Sequence, residues 1–206
     1  MYNSAYRYSL GAILAFISLG FGISDAHAQI PLGSTMPGQN VQVTLPDGST
    51  TTLGALKGAD GTLVVFWGNR CPWIGKIEDR LKSFAGTFSS ATRKIILINS
   101  NDGSAFAAES RSGNAEAIAG LPQGIPYVAD AEAAIMEAFA ATRSPEFFLF
   151  DASDALVYTG SMDDSPGDAD KVTKSYLADA YAAMSSGNAV RVGVTKPFGC
   201  MIKPKR

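Results

Sequence analysis

Apolar positions divide the chain into segments of clearly different period. LVVFW at 63–67 is a continuous apolar run, the pattern of a strand buried on both faces. From position 74 the period changes. Ile74, Ile77, Leu81, Phe84 and Phe88 are spaced 3, 4, 3 and 4 apart, which places them on one face of a helix. Lys76, Glu78, Asp79, Arg80, Lys82 and Ser83 fall on the remaining surface, where Glu78, Asp79 and Arg80 read as an exposed face with a structural salt bridge. KIILI at 94–98 predicts a second buried strand, closed by the polar run at 99–103. Further on, the pattern predicts an Ala-rich helix over 104–120, interrupted near Gly113, a short strand at 126–129, and a helix over 131–140 with Ile135, Met136 and Phe139 inward. Ser144 and Pro145 introduce two β runs, 147–150 and 156–158. A last amphipathic helix is predicted over 168–185, with Val172, Tyr176, Leu177, Ala180, Tyr181 and Met184 on its apolar side, followed by a tail at 187–206.

Upstream, VQVTL at 41–45 and STTTL at 49–53 flank Pro46, Asp47 and Gly48, a hairpin signal. The β–α–β start implies a right-handed crossover and parallel neighbours, whereas the late strand pair, joined by a short turn, implies an antiparallel one. The economical solution is an α/β fold: a mixed central sheet with helices on both faces and an N-terminal β-hairpin extension.

Residues 1–28 belong to a different class. Arg7 precedes an apolar run at 9–23, and Ala26-His27-Ala28 has the small-x-small form of a signal-peptidase site. The run is about 15 residues, short of the roughly 20 that a membrane span needs. The expectation is cleavage after Ala28 and export to the periplasm or beyond, with no membrane attachment afterwards and residues 29–206 forming one domain.

Charge and rare residues then narrow the chemistry. With 17 basic and 19 acidic side chains the net charge is −2, which argues against a nucleic-acid partner. Two cysteines and one histidine exclude zinc-finger and disulfide-scaffold readings. His27 leaves with the signal, so Ser–His–Asp, Cys–His and histidine metal sites are excluded as well, and neither metal nor cofactor is expected. Asp163, Asp164, Asp168 and Asp170 lack calcium-loop spacing and read as a solvated turn. Cys71 and Cys200 both enter an oxidising compartment.

Cys71 lies where the LVVFW strand ends and the helix begins. Unpaired N–H groups and the positive end of the helix dipole favour a thiolate there, Pro72 fits the first helical turn, and Arg70 adds a positive neighbour. The alternative is a buried, inert thiol. Trp67 and Trp73 flank the cysteine, Trp67 as core and Trp73 as a groove residue.

The stretch FWGNRCPWIGKIEDRL resembles the FWAxWCxxC strand-to-helix turn of thioredoxin-like proteins, with Cys71 at the nucleophile position. It looks closest to the redoxin branch, the alkyl hydroperoxide reductase and thiol-specific antioxidant relatives. INSND at 98–102, SPEFFLFD at 144–151, LVYTGSMDDS at 156–165 and KPFGCMIK at 196–203 follow in the order of one subgroup. The resemblance implies a three-layer thioredoxin-like fold, a cis-proline at Pro145, and a substrate groove made with Ser144, Arg70, Pro72 and Trp73. Its implied partners are protein or small-molecule thiols and disulfides, or a peroxide, with an external thiol as reductant. Two motifs of the relatives are not kept. Ile74 stands where dithiol thioredoxins have their second cysteine, and Gly68 and Val64 replace the Thr and Pro of the peroxiredoxin signature. Cys200 is then the intramolecular candidate for a resolving cysteine, against a permanent staple or two unrelated thiols. The expected function is an exported thiol–disulfide oxidoreductase. The alternatives are a thiol-dependent peroxidase and a non-catalytic peptide-binding module.

Overall fold

The computed structural model describes residues 29–205 together with Met1. The export signal expected within 1–28 therefore lies outside the described residues, Met1 aside. Three strands form the centre: β3 (Gly61–Phe66), β4 (Arg93–Asn99) and β7 (Glu146–Phe150), with short β1 (Gln42–Thr44), β2 (Thr50–Thr52) and β5 (Tyr127–Ala129) on one side and β8 (Leu156–Gly160) on the other. The order across this sheet is β2-β1-β5-β4-β3-β7-β8. The β3–β4 and β4–β5 pairs are parallel, and β3–β7 and β7–β8 antiparallel. The hairpin joins the sheet edge through Thr44, which pairs with Ala129.

Two separate cores follow from strand alternation. Leu63, Val65 and Trp67, Ile95 and Leu97, and Phe147 and Leu149 face α1 (Pro72–Phe88) and α4 (Tyr176–Ser185). Val64 and Phe66, Ile96 and Ile98, and Phe148 and Phe150 face α3 (Ala134–Phe139) and the hairpin. Because successive strand residues point to opposite faces, a strand covered on both sides must be apolar throughout, as LVVFW and KIILI are. The five periodic residues of α1 are all buried. Each contributes about 1.5–3 kcal/mol relative to exposure. This is a thioredoxin-like fold with helices on both faces of a mixed sheet.

Several elements differ from their sequence-based bounds. The helix expected over 168–185 begins only at Tyr176. Upstream, Asp168 caps a single 3-10 turn, and the Asp164 carboxylate accepts the N–H groups of Thr173 and Lys174 at 2.9 and 3.0 Å. Side chains that capture backbone donors in this way offer an alternative to the helix. Asp163 is not solvated: it is 5% exposed and ion-paired with Arg80 of α1. The helix expected over 104–120 starts at Arg111 as α2 (Arg111–Ile118), after a 3-10 turn at Ala107–Glu109. Gly113 does not interrupt it. The glycine lies in its first turn, against the Ala107 and Ala108 carbonyls, where a Cβ has no room. α3 is shorter than 131–140 because Ala133 and Ala140 are both left-handed, at φ 57° and 50°.

The tail is built into the fold. Thr159 donates to Gly193 O and Thr195 donates to Thr159 O, both at 2.9 Å, along the free edge of β8. Farther on, β6 (Arg143–Ser144) and β9 (Cys200–Met201) pair antiparallel as a second, two-stranded sheet. Strands of two residues have no measurable period, and the sequence pattern predicts neither.

Candidate active site

Cys71 caps the N-terminus of α1, with Pro72 at its first turn. The cysteine is buried, and its thiol donates to the Ser144 carbonyl at 3.0 Å. The turn that delivers it, Gly68–Asn69–Arg70, is held from beneath. Gly68 N–H donates to Ser144 Oγ at 2.6 Å. The N–H groups of Asn69 and Arg70 donate to the two carboxylate oxygens of Glu109 at 2.9 and 3.0 Å. Glu109 also accepts from Asn99 Nδ2 at 2.9 Å, and Asn114 Oδ1 accepts from both Asn99 and Asn69. The Tyr127 hydroxyl reaches Trp67 O and Asn69 Oδ1 at 2.6 and 2.7 Å. Burial first, and then the Glu109 charge, hold this phenol well above the usual tyrosine range.

Gly68 explains one departure from the peroxiredoxin signature. A Cβ there would lie 2.5 Å from Asn101 Nδ2 and 3.2 Å from Ser144 Oγ. The space of a threonine side chain is filled by a polar network instead.

The opposite wall comes from the tail. The Ser144–Pro145 peptide is cis. Ser144 pairs with Cys200 and Arg143 with Met201. Gly199, at φ 155°, is stacked on the Ser144–Pro145 peptide, and a Cβ on it would come 2.8 Å from Pro145 N. Phe198 packs edge-on against Trp73 at a centroid distance of 4.6 Å. Lys203 N donates to Asn101 Oδ1, and Asp102 N donates to Lys203 O.

Both cysteines are free thiols, and they line one cavity of about 260 Å³ with Gly68, Arg70, Pro72, Ser144 and Lys203. Cys200 is pushed up to about 11, by burial first and then by its hydrogen bond to Cys71 and the negative charge of that neighbour. It is therefore a thiol at neutral pH.

A family model described as Redoxin matches residues 31–177. The chain belongs to the redoxin family. Among solved structures, it is 32% identical to a hypothetical protein of Sinorhizobium meliloti, covering 86% of this chain and 97% of that one at a TM-score of 0.77. An uncharacterized conserved protein of Geobacillus kaustophilus is 28% identical, over 85% and 93% of the two chains, at 0.76. The peroxidoxin BcpB of Mycobacterium tuberculosis shares the fold at 16% identity and a TM-score of 0.52, over 75% and 96%. No curated protein matches the chain by sequence.

Of the residues singled out in the sequence of this redoxin, Cys71, Cys200, Ser144, Arg70 and Pro72 meet around the cavity. Pro145 and Trp73 do not line it. Pro145 lies behind Ser144, under Gly199, and Trp73 faces Phe198. Trp67 is core. The salt bridge of the Glu78–Arg80 face joins Arg80 to Asp163, and Lys82 pairs with Glu78 at 2.7 Å. Sequence reasoning missed Glu109, Asn99, Asn101, Asn114 and Phe106. Their one signal is position: Asn99 and Asn101 directly follow an apolar strand, where ligand-facing loops begin in α/β sheets. Among the described residues, no group of three or more His, Cys, Asp or Glu gathers as a metal site.

Proposed function

We propose that this redoxin is a thiol–disulfide oxidoreductase with Cys71 as nucleophile and Cys200 as resolving thiol. The observation that carries the reading is the meeting of two free thiols, far apart in sequence, across one small cavity. The Cys71 thiolate attacks a substrate sulfur, the substrate S–S bond breaks, and one substrate thiol leaves. Cys200 then displaces the second from the mixed disulfide, giving a 71–200 disulfide that an external thiol reduces. Ile74 leaves no local partner for Cys71, so resolution falls to the tail. The raised Cys200 thiol fits a second step: Cys200 is protonated at neutral pH and reacts only after giving up its proton.

The likeness to a peroxidoxin supports a second reading. There the Cys71 thiolate attacks a peroxide oxygen, the O–O bond breaks, hydroxide or alkoxide leaves and is protonated, and the sulfenic acid condenses with Cys200 to the same disulfide and water. Stopped-flow oxidation of the reduced protein separates the two. Disulfides outpacing hydrogen peroxide support exchange, and a peroxide rate above that of a free thiolate supports the peroxidase. Cys71→Ser inactive toward both is expected in either case, and a Cys71 that reacts with neither oxidant would leave a peptide-binding module.

Export completes the proposal. The small-x-small site ending at Ala28 supports cleavage and a periplasmic or secreted protein, and N-terminal sequencing from the periplasmic fraction should begin at Gln29.

A further inference from the structure

The cavity carries information about what enters it. The backbone edge beside Cys71 is occupied, because β9 satisfies β6 through the Arg143–Met201 and Ser144–Cys200 pairs. An extended polypeptide has no free strand edge there. The space that remains, about 260 Å³, lies just below the roughly 300–1,000 Å³ of clefts for drug-sized ligands.

Charge adds a second constraint. Arg70 and Lys203 are exposed at this cavity and, among the described residues, neither makes an ion pair. The Arg70 guanidinium is held 3.8 Å over the Phe106 ring, which is another lining residue. Lys203 is fixed by its backbone on Asn101 and Asp102. The acids nearby are engaged elsewhere. Glu109 is the one carboxylate lining the cavity, and both its oxygens accept backbone or amide donors. The Asp102 carboxylate accepts from Ser104 and Ala105. Two cations without ion-pair partners that line the same cavity as the two thiols suit a small anion.

We infer that the oxidant of Cys71 is a small carboxylate-bearing disulfide, oriented by Arg70 and Lys203. This rests on the nucleophile reading of Cys71. The chemistry balances as a two-electron exchange. Cys71 takes one half of the disulfide and releases the other as a thiolate, which Cys200 protonates. Cys200 then displaces the first half, which takes up from solvent the proton that Cys71 released on ionising. One disulfide is reduced to two thiols, and the 71–200 dithiol is oxidised.

Three symmetric disulfides of similar size and different charge test this: dithiodipropionate (dianionic), hydroxyethyl disulfide (neutral) and cystamine (dicationic). Each rate with the reduced protein is divided by its rate with free mercaptoethanol, which removes intrinsic reactivity. The expected order is dianion, neutral, dication, with roughly tenfold between the first two at low salt and less at high salt. Arg70→Gln and Lys203→Gln, both at exposed positions, should each shrink the dianion-to-neutral ratio, and the double variant should bring it near one. Equal normalised rates in the parent protein, or a double variant that keeps its preference, overturn the selectivity while leaving the nucleophile in place. Failure of the folded, reduced protein to react with any of the three overturns both.

Discussion

The two walls of the cavity are built in opposite ways. The Cys71 wall is set between a buried central strand and a 17-residue helix, and its turn is fixed by Glu109, Asn99, Asn114 and Tyr127, deep in the protein. The Cys200 wall is a two-residue strand, one aromatic pair and a few backbone hydrogen bonds, all near the surface. The difference fits the roles proposed for the two sulfurs. A nucleophile works from a fixed position at the start of a helix. A resolving thiol has to approach, bond and withdraw, and elements that move come from the low-stability part of a structure.

The sharpest way to break this contrast is to empty the rigid wall. Glu109→Ala leaves the N–H groups of Asn69 and Arg70 without their side-chain acceptor and takes one of its acceptors from the Asn99 amide, which keeps Asn114. At about 1–3 kcal/mol for each donor left unsatisfied, and with both of these only partly buried, a loss of roughly 2–4 kcal/mol is expected. Urea unfolding measures it, and a loss below about 1 kcal/mol would mean that the network is decorative.

Next in size is an insult to the Cys200 wall. Gly199→Ala puts a methyl group into the Ser144–Pro145 peptide and strains a backbone at φ 155°. It should lift Cys200 away, slowing closure of the 71–200 disulfide tenfold or more while attack by Cys71 persists. Rapid acid quench with thiol trapping follows both steps. Equal slowing of the two would erase the distinction between the walls.

Phe198→Ala is milder. It removes an edge-on aromatic pair worth about 0.5–1.5 kcal/mol. That energy should disappear from the local opening of the tail, not from global unfolding. Hydrogen exchange in 198–203 is expected to accelerate about threefold to tenfold, with the urea midpoint nearly unchanged.

The same contrast accounts for what the sequence revealed. Strands 63–67 and 94–98 and the helix from Ile74 were legible because burial on one or both faces imposes a period on many residues at once. The Cys71 turn was legible because cysteine, proline and a helix start carry their own chemistry. The β6–β9 pair was not, since its partners are far apart in sequence and each is only two residues long. Glu109 and the three asparagines were hidden for another reason. In sequence a buried polar residue looks like a surface one, and only its neighbours in space show the difference. Asp163 misled in the same way, as a buried partner of Arg80, whereas Asp164 is exposed as expected but holds the backbone ahead of α4 and shortens that helix.

The smallest effect concerns Glu146, behind the cis-proline. Burial raises its pKa above the usual carboxylate value, against the lowering by hydrogen bonds from Thr142, Arg143 and Gln29. A raised acid is easier to ionise in the unfolded chain than in the fold. Stability therefore falls as the pH rises from the unfolded carboxylate pKa through the folded one. Glu146→Gln removes that titration, so the parent protein should lose stability relative to the variant as the pH rises above the unfolded carboxylate value of about 4. A stability difference independent of pH would show that this carboxylate ionises equally in both states.

The central claim is that Cys71 attacks and Cys200 resolves, and disulfide mapping after a single turnover tests it most directly. Fully reduced protein is given one equivalent of a small disulfide, quenched in acid, alkylated and digested. The account predicts a cross-linked pair of peptides containing Cys71 and Cys200, with two equivalents of free small thiol. In Cys200→Ser the adduct should instead remain on Cys71. An adduct on Cys71 that persists in the parent protein, with Cys200 recovered as an alkylated free thiol, would contradict it.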